Sequence, residues 1–244
     1  MVYSSIMNKF RLRLLGLLLA VAAMVACATP PTDRSSTGVG PGSVIDEIPK
    51  TLAILPFENN SVSEPERYEP LSRGLAAMLI TDLQKSGTTV KIIEREKIQA
   101  LLKEVALSQS GSVDKETAVR VGRILGAQTI AFGSFMVLMD QVRIDVRIVK
   151  VETSEMLMAE SIMGRSSDFI GLQQNLARQI GRSLRIALRP PAVAGGSDIS
   201  AALYFSQGLD AADRGDKEEA RRLFDHAVAL DRNYASQVAN VKGL

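Results

Sequence analysis

The strongest nucleophile in this 244-residue chain is its one cysteine, Cys27. Lys9, Arg11 and Arg13 form a basic leader, and an apolar run follows from Leu14 to Ala26, broken only by Gly16. A basic leader, a short apolar run and a small residue before the cleavage point are the marks of an export signal. The run has about thirteen residues, whereas a bilayer-spanning helix needs about 20. Other chemistry is hard to find. The chain has no phosphate loop, nucleophile elbow or dinucleotide fingerprint. Metal sites normally draw on several Cys or His, and the only histidine is His226, between Asp225 and Ala227 in a helical stretch. Carboxylates such as Glu58 and Asp140 have no matched partner for acid–base work. The expectation is a non-catalytic protein with no cofactor and no metal.

The sequence around the cysteine, Met24-Val25-Ala26-Cys27, resembles the lipobox of bacterial lipoproteins. The resemblance implies that residues 1–26 are a signal peptide. It also implies that Cys27 becomes the first residue of the mature protein, acylated with chains such as palmitate. Each buried CH₂ of a lipid chain contributes about 0.8 kcal/mol, and stable anchoring takes more than one chain; lipoproteins of this kind carry three. Ala28 follows, where aspartate would typically retain a lipoprotein at the inner membrane. The implied address is the periplasmic face of the outer membrane in a Gram-negative host. An ordinary signal peptide with a chance cysteine, or a buried free thiol, is the alternative.

Charge narrows the partners. The formal charge of +2 counts 29 basic and 27 acidic residues. The leader holds three of the basic residues and no acid, so the mature chain has 26 against 27, or −1. No basic patch for nucleic acid survives that correction. With Cys27 acylated no disulfide is possible, so the fold must rest on its core, drawn from 46% hydrophobic residues.

Residues 27–50 are rich in Pro, Ser, Thr and Gly and read as a flexible spacer. Thr51–Phe57 is a continuous apolar run, as in a strand buried on both faces. After a polar loop and Pro70, Leu71, Leu75, Met78, Leu79 and Leu83 form one helical stripe that Gly87 ends. Val90–Ile93 reads as a short strand, Arg95–Leu107 as a helix, and Asp114 as the cap of a further helix ending at Gly126. Ala127–Met139 is a long apolar strand. Asp140-Gln141 reverses it into Val142, Ile144, Val146 and Ile148, which alternate with Arg143, Asp145 and Arg147. That period of two means a strand with one wet face. A third antiparallel strand follows over Glu155–Met163, then a helix capped by Asp168 with Phe169, Leu172, Leu176, Ile180 and Leu184 as its stripe. The expected fold class is α/β: a mixed sheet with antiparallel strands and packed helices over 51–189, then a linker at 190–198 and a small helical hairpin at 199–244.

In the hairpin, Tyr204, Gly208, Ala220, Phe224 and Ala227 fall at spacings resembling a tetratricopeptide repeat, with Arg214-Gly215-Asp216 as the turn. Gln207, Ala211 and Arg232 depart from that pattern. Such repeats normally need about three copies for stability, so this unit is expected to dock on the main domain, a second copy or a partner.

Several segments of the main domain follow one another as in the CsgG family: TLAILPFENN at 51–60, LITDL at 79–83, KIIERE at 91–96, GRILGAQTIAFGS at 122–134 and VRIVKVETSE at 146–155. The chain resembles this family, whose namesake is a ring-forming curli-secretion lipoprotein and to which domains of LpoB and TolB are related. The resemblance implies an α/β domain, a lipid anchor, self-association or an envelope protein partner, and no chemistry. The expected function is that of an assembly or adaptor subunit in envelope biogenesis or secretion. A curli-type export channel or a small-ligand sensor is the alternative, and no small-molecule substrate is indicated. Glu94-Arg95 stands out as a charged pair closing an apolar strand; its expected role is structural, with Arg95 pairing a carboxylate or satisfying carbonyls at the strand end, and a binding role is the alternative.

Overall fold

The computed structural model describes residues 48–106, 114–188 and 198–242. Met24, Val25, Ala26, Cys27 and both expected linkers, apart from their ends, lie outside the described residues. The sheet is built from β1 (Thr51–Ile54), β2 (Glu58–Asn59), β3 (Lys91–Ile92), β4 (Thr129–Leu138), β5 (Gln141–Lys150) and β6 (Met156–Arg165). The order across it is β3-β1-β4-β5-β6, and β2 pairs with β4. β1 runs parallel to both neighbours, whereas β4, β5 and β6 form an antiparallel meander. The apolar run of β1 is buried on both faces, as its lack of alternation requires.

The polar loop after β1 holds more structure than its sequence suggests. β2 resumes pairing along β4, with Glu58 opposite Ser134, and α1 (Pro65–Tyr68) forms one turn. Neither has an apolar period, because pairing to a long neighbouring strand and one buried tyrosine suffice to hold them. α2 (Leu71–Lys85) and α5 (Phe169–Ser183) pack on one another and α5 covers β6, while α4 (Lys115–Leu125) lies on β4 and β5. α3 (Arg95–Ala106) stands beside α2 and α4. Asp114 caps α4 by accepting from the Thr117 N–H, and Gly126 closes it with φ of 66°. Asp168 does not cap α5: its side chain takes no cap bond, since a 3-10 turn at Ser166–Asp168 carries the chain into the helix. The β4–β5 reversal sits at Met139-Asp140, one residue earlier than the sequence suggests, with Met139 at φ of 55°.

Gly133 is required where it stands. A Cβ there would lie 1.9 Å from the Asp145 carbonyl oxygen and 3.1 Å from the Phe57 ring. Backbone on the neighbouring strand has no rotamer to move into. Gly133→Val is expected to lower unfolding free energy by at least the roughly 1–3 kcal/mol typical of overpacking. Urea denaturation checks this, and an unchanged midpoint would contradict the close approach of β4 to β5.

Candidate functional site

The C-terminal helix α6 (Ile199–Asp213) lies against α2, α7 (Lys217–Leu230) packs on α6, and α8 (Tyr234–Val238) packs on both and hydrogen-bonds to α2. The hairpin assembles as its residue sizes dictate. A Cβ on Gly208 would lie 2.6 Å from the Phe224 ring, so glycine lets that ring lie on α6. Ala220 and Ala227 are buried beside it. Phe224 packs on Phe205, and Phe205 on Tyr234, at centroid distances of 5.7 and 5.6 Å. Tyr204 instead stacks on His226 at 5.3 Å and remains 36% exposed, so Phe205 supplies the interior ring of α6.

Small residues also bring α6 onto α2. A Cβ on Gly74 would lie 1.8 Å from Ser206 Oγ, and that hydroxyl is turned inward to donate to the Ala202 carbonyl at 2.6 Å. Around this contact the joint is polar. Arg73 Nη1 donates to Asp210 at 2.6 Å. Arg95 Nη1 donates to both oxygens of Asp213, at 2.9 and 2.8 Å. Lys85 donates to the Ser236 carbonyl at 2.7 Å, Asn240 to Thr81 and Gln84, and Lys242 pairs with Glu94 at 2.6 Å. Glu94-Arg95 therefore serves the expected structural role, and its acceptor lies on the C-terminal hairpin.

At the centre is Asp82. Gln173 of α5 donates to one carboxylate oxygen at 3.1 Å and Gln237 of α8 to the other at 2.9 Å. One side chain thus joins α2, α5 and α8. Burial raises the Asp82 carboxyl above its usual range, against the lowering effect of both amides and of Lys85. Tyr234 is fully buried, and burial pushes its hydroxyl well up, with Asp231 and Asp82 adding to the effect. Asp82 was legible as a motif residue within LITDL but not as a joint. The available signal was a carboxylate placed four residues after Met78 and seven after Leu75, on the buried stripe.

This arrangement holds the helices together and positions them. Among the described residues no group of three His, Cys, Asp or Glu could hold a metal. A cavity of about 60 Å³ beside Gln237, Arg95 and Phe205 has room for a few waters, against the roughly 300–1,000 Å³ of small-molecule sites.

Two predictions follow from the joint. The folded state holds the Asp82 proton at pH values where the unfolded chain has released it. Stability therefore rises as pH falls from neutral through the folded pKa, and levels off below the unfolded value near 3.9. Asp210, also raised by burial, acts in the same direction. Carboxylates held low, such as Asp145 beside Arg143, lose their contribution only below about pH 4. Thermal midpoints are expected to rise as pH is lowered from neutral toward the unfolded carboxylate value near 3.9, and Asp82→Asn to flatten part of that rise. For the second, Arg95→Met and Asp213→Asn are each expected to cost about 1–3 kcal/mol, as for hydrogen bonds to charged groups. The double variant should cost less than the sum by at least about 0.5 kcal/mol. Additive losses would mean that the pair carries no coupling.

No curated protein sequence matches the chain. Among solved structures, it is similar to lipoprotein GNA1162 from Neisseria meningitidis, with 17% identity and a TM-score of 0.41 over 56% of this chain and 99% of that one. It is also similar to the LpoB C-terminal domain from Salmonella enterica, with 13% identity and a TM-score of 0.33 over 52% and 87% of the two chains. A third is the PelC dodecamer from Paraburkholderia phytofirmans, with 11% identity and a TM-score of 0.38 over 60% and 95%. Residues 48–138, which run from just before β1 to the end of β4, match the family model of the curli production assembly/transport component CsgG.

Proposed function

We propose that this protein is a non-catalytic, lipid-anchored subunit of an envelope assembly, tethered through Cys27 to the periplasmic face of the outer membrane. The carrying observation is that a stretch matching the CsgG family is preceded in the same chain by a basic leader and an apolar run that ends at a lone cysteine. The joint described above favours a structural reading of its charged groups: they are taken up by ion pairs and hydrogen bonds that hold the helices together. In this proposal residues 27–50 set the reach from the membrane and the α/β domain meets copies of itself or an envelope partner. The repeat-like hairpin at 199–244, docked on α2, adds a second contact surface.

A pore made by this chain alone is not part of the proposal. A barrel-spanning strand takes about 9–11 residues. β4 and β5 are joined by Met139-Asp140 and β5 and β6 by residues 151–155, while the three strands are already committed to the sheet.

Metabolic labelling with a palmitate analogue and fractionation test the anchor. The wild-type protein should be labelled and sediment with outer membranes; Cys27→Ala should lose the label and become soluble. An unlabelled wild type, or a Cys27→Ala variant that stays membrane-bound, would overturn it. Light scattering on the detergent-extracted protein then separates a closed ring from a monomer that needs a different partner.

A further inference from the structure

The two edges of the sheet are finished differently. β3 closes one side with two residues, and the first of them, Lys91, is exposed. A very short strand carrying a lysine is a common guard against unwanted pairing. β6 closes the other side with ten residues and, among the described residues, pairs with β5 alone. The ladder fixes which of its main-chain groups are used. Gln141 lies opposite Arg165, and the Ser166 N–H donates to the Asp140 carbonyl. That bond makes Gln141 and Arg165 a non-hydrogen-bonded pair, so Gly164, Ile162 and Glu160 exchange their bonds with β5. The N–H and C=O groups of Ala159, Ser161, Met163 and Arg165 therefore point away from β5. Among the described residues no main-chain partner meets them, and all four residues are exposed. Ala159–Arg165 contains neither Lys nor Pro, and the register shift of this pairing lies beyond it, between Ile148 and Val149. Its two charges, Glu160 and Arg165, are opposite in sign and set up no net repulsion against an incoming strand.

We infer that the β6 edge takes an extended segment of another polypeptide, added as a further strand along Ala159–Arg165. Donors and acceptors alternating at strand spacing are matched by an extended backbone, whose own N–H and C=O groups supply the affinity. A lipid surface presents no such row. A second copy of β6 does, but its helix excludes it. α5 runs along β6 itself: Leu172 lies on Gly164, where a Cβ would come within 2.6 Å, and the Ser183 hydroxyl reaches Met158 Sδ at 2.9 Å. Within the sheet, the packing of α5 is on β6. Paired strands lie about 4.8 Å apart, so two copies joined edge to edge would bring their α5 helices about as close, against the roughly 8–10 Å that packed helices need. The occupant is therefore a segment with no helix of its own above it, such as a loop or tail of a partner protein. It is free of proline where it pairs, and its side chains on the α5 side set the selectivity.

This inference rests on the binding role proposed above but not on the lipid anchor. Its test is a photo-crosslinking residue at position 161 of the full chain in living cells, in three backgrounds: wild type, Met163→Ala and Met163→Pro. Alanine removes the side chain and keeps the N–H; proline removes the N–H that an added strand would use. Because that N–H makes no bond to β5, the proline variant is expected to keep the wild-type circular dichroism, and Ala159→Pro is a second variant of the same kind. The expected result is an adduct to a segment of another protein, retained in Met163→Ala and reduced at least tenfold in Met163→Pro. A synthetic peptide of the captured segment should then slow hydrogen exchange at the Ala159 and Met163 amides of the purified protein. Overturning results are no adduct, an adduct to lipid, to a second copy or to residues 189–197 of the same chain, and a protein adduct that Met163→Pro leaves unchanged or Met163→Ala also loses. Unchanged amide exchange overturns it too, as does loss of fold in both proline variants, which would place these N–H groups in the ladder. A crosslinker at His226 separates the two levels: adducts there and none at 161 remove the edge and leave the binding role standing.

Discussion

Helix α2 is held from two sides, and the rest of the structure depends on that. Eleven of its fifteen residues are buried. Leu75, Met78, Leu79 and Leu83 are fully buried in the core, while Gly74, Thr81, Asp82 and Lys85 face the C-terminal helices or touch them. A helix facing only a sheet would carry one apolar stripe and a charged outer side. α2 has instead a second face of small and hydrogen-bonding groups. Its sequence encodes two partners, with Asp82 at the boundary reaching Gln173 toward one and Gln237 toward the other.

Much of the architecture was legible because it obeys simple periods. The alternation of Val142, Ile144, Val146 and Ile148 reappears as buried positions of β5, with Arg143 and Arg147 outward. Asp114 and Gly126 bound α4 as their chemistry predicts. The misses share a cause. β2 and α1 are held by contacts with distant segments, and Asp168 was displaced from capping by the turn before α5. Local sequence carries no sign of either. The joint was half legible: Arg95 was marked as a charge needing a carboxylate or strand-end carbonyls, but its acceptor Asp213 lies 118 residues away, a separation that no periodicity reports.

Polar groups at the joint give position more than energy. Close-packed Gly74 and Ser206 fix how near α6 comes, and the aromatic chain of Phe224, Phe205 and Tyr234 supplies the apolar burial. Hydrogen bonds at buried positions contribute modestly when made and are expensive when broken. Arg95 with Asp213, Asp82 with two amides and Lys85 with Ser236 therefore penalise any other docking register. The hairpin is thereby held in one orientation on α2.

The same reasoning explains how so short a helical unit persists. Stacked repeats are normally stable because each covers its neighbour's apolar face. Here α2 takes the place of that neighbour on one side and α8 closes the other, so one hairpin obtains the burial that several repeats would share. Only ten residues separate Leu188 from Ile199 in sequence. A tether that short holds the hairpin at an effective concentration in the millimolar range, so docking contacts too weak to join two separate molecules remain occupied.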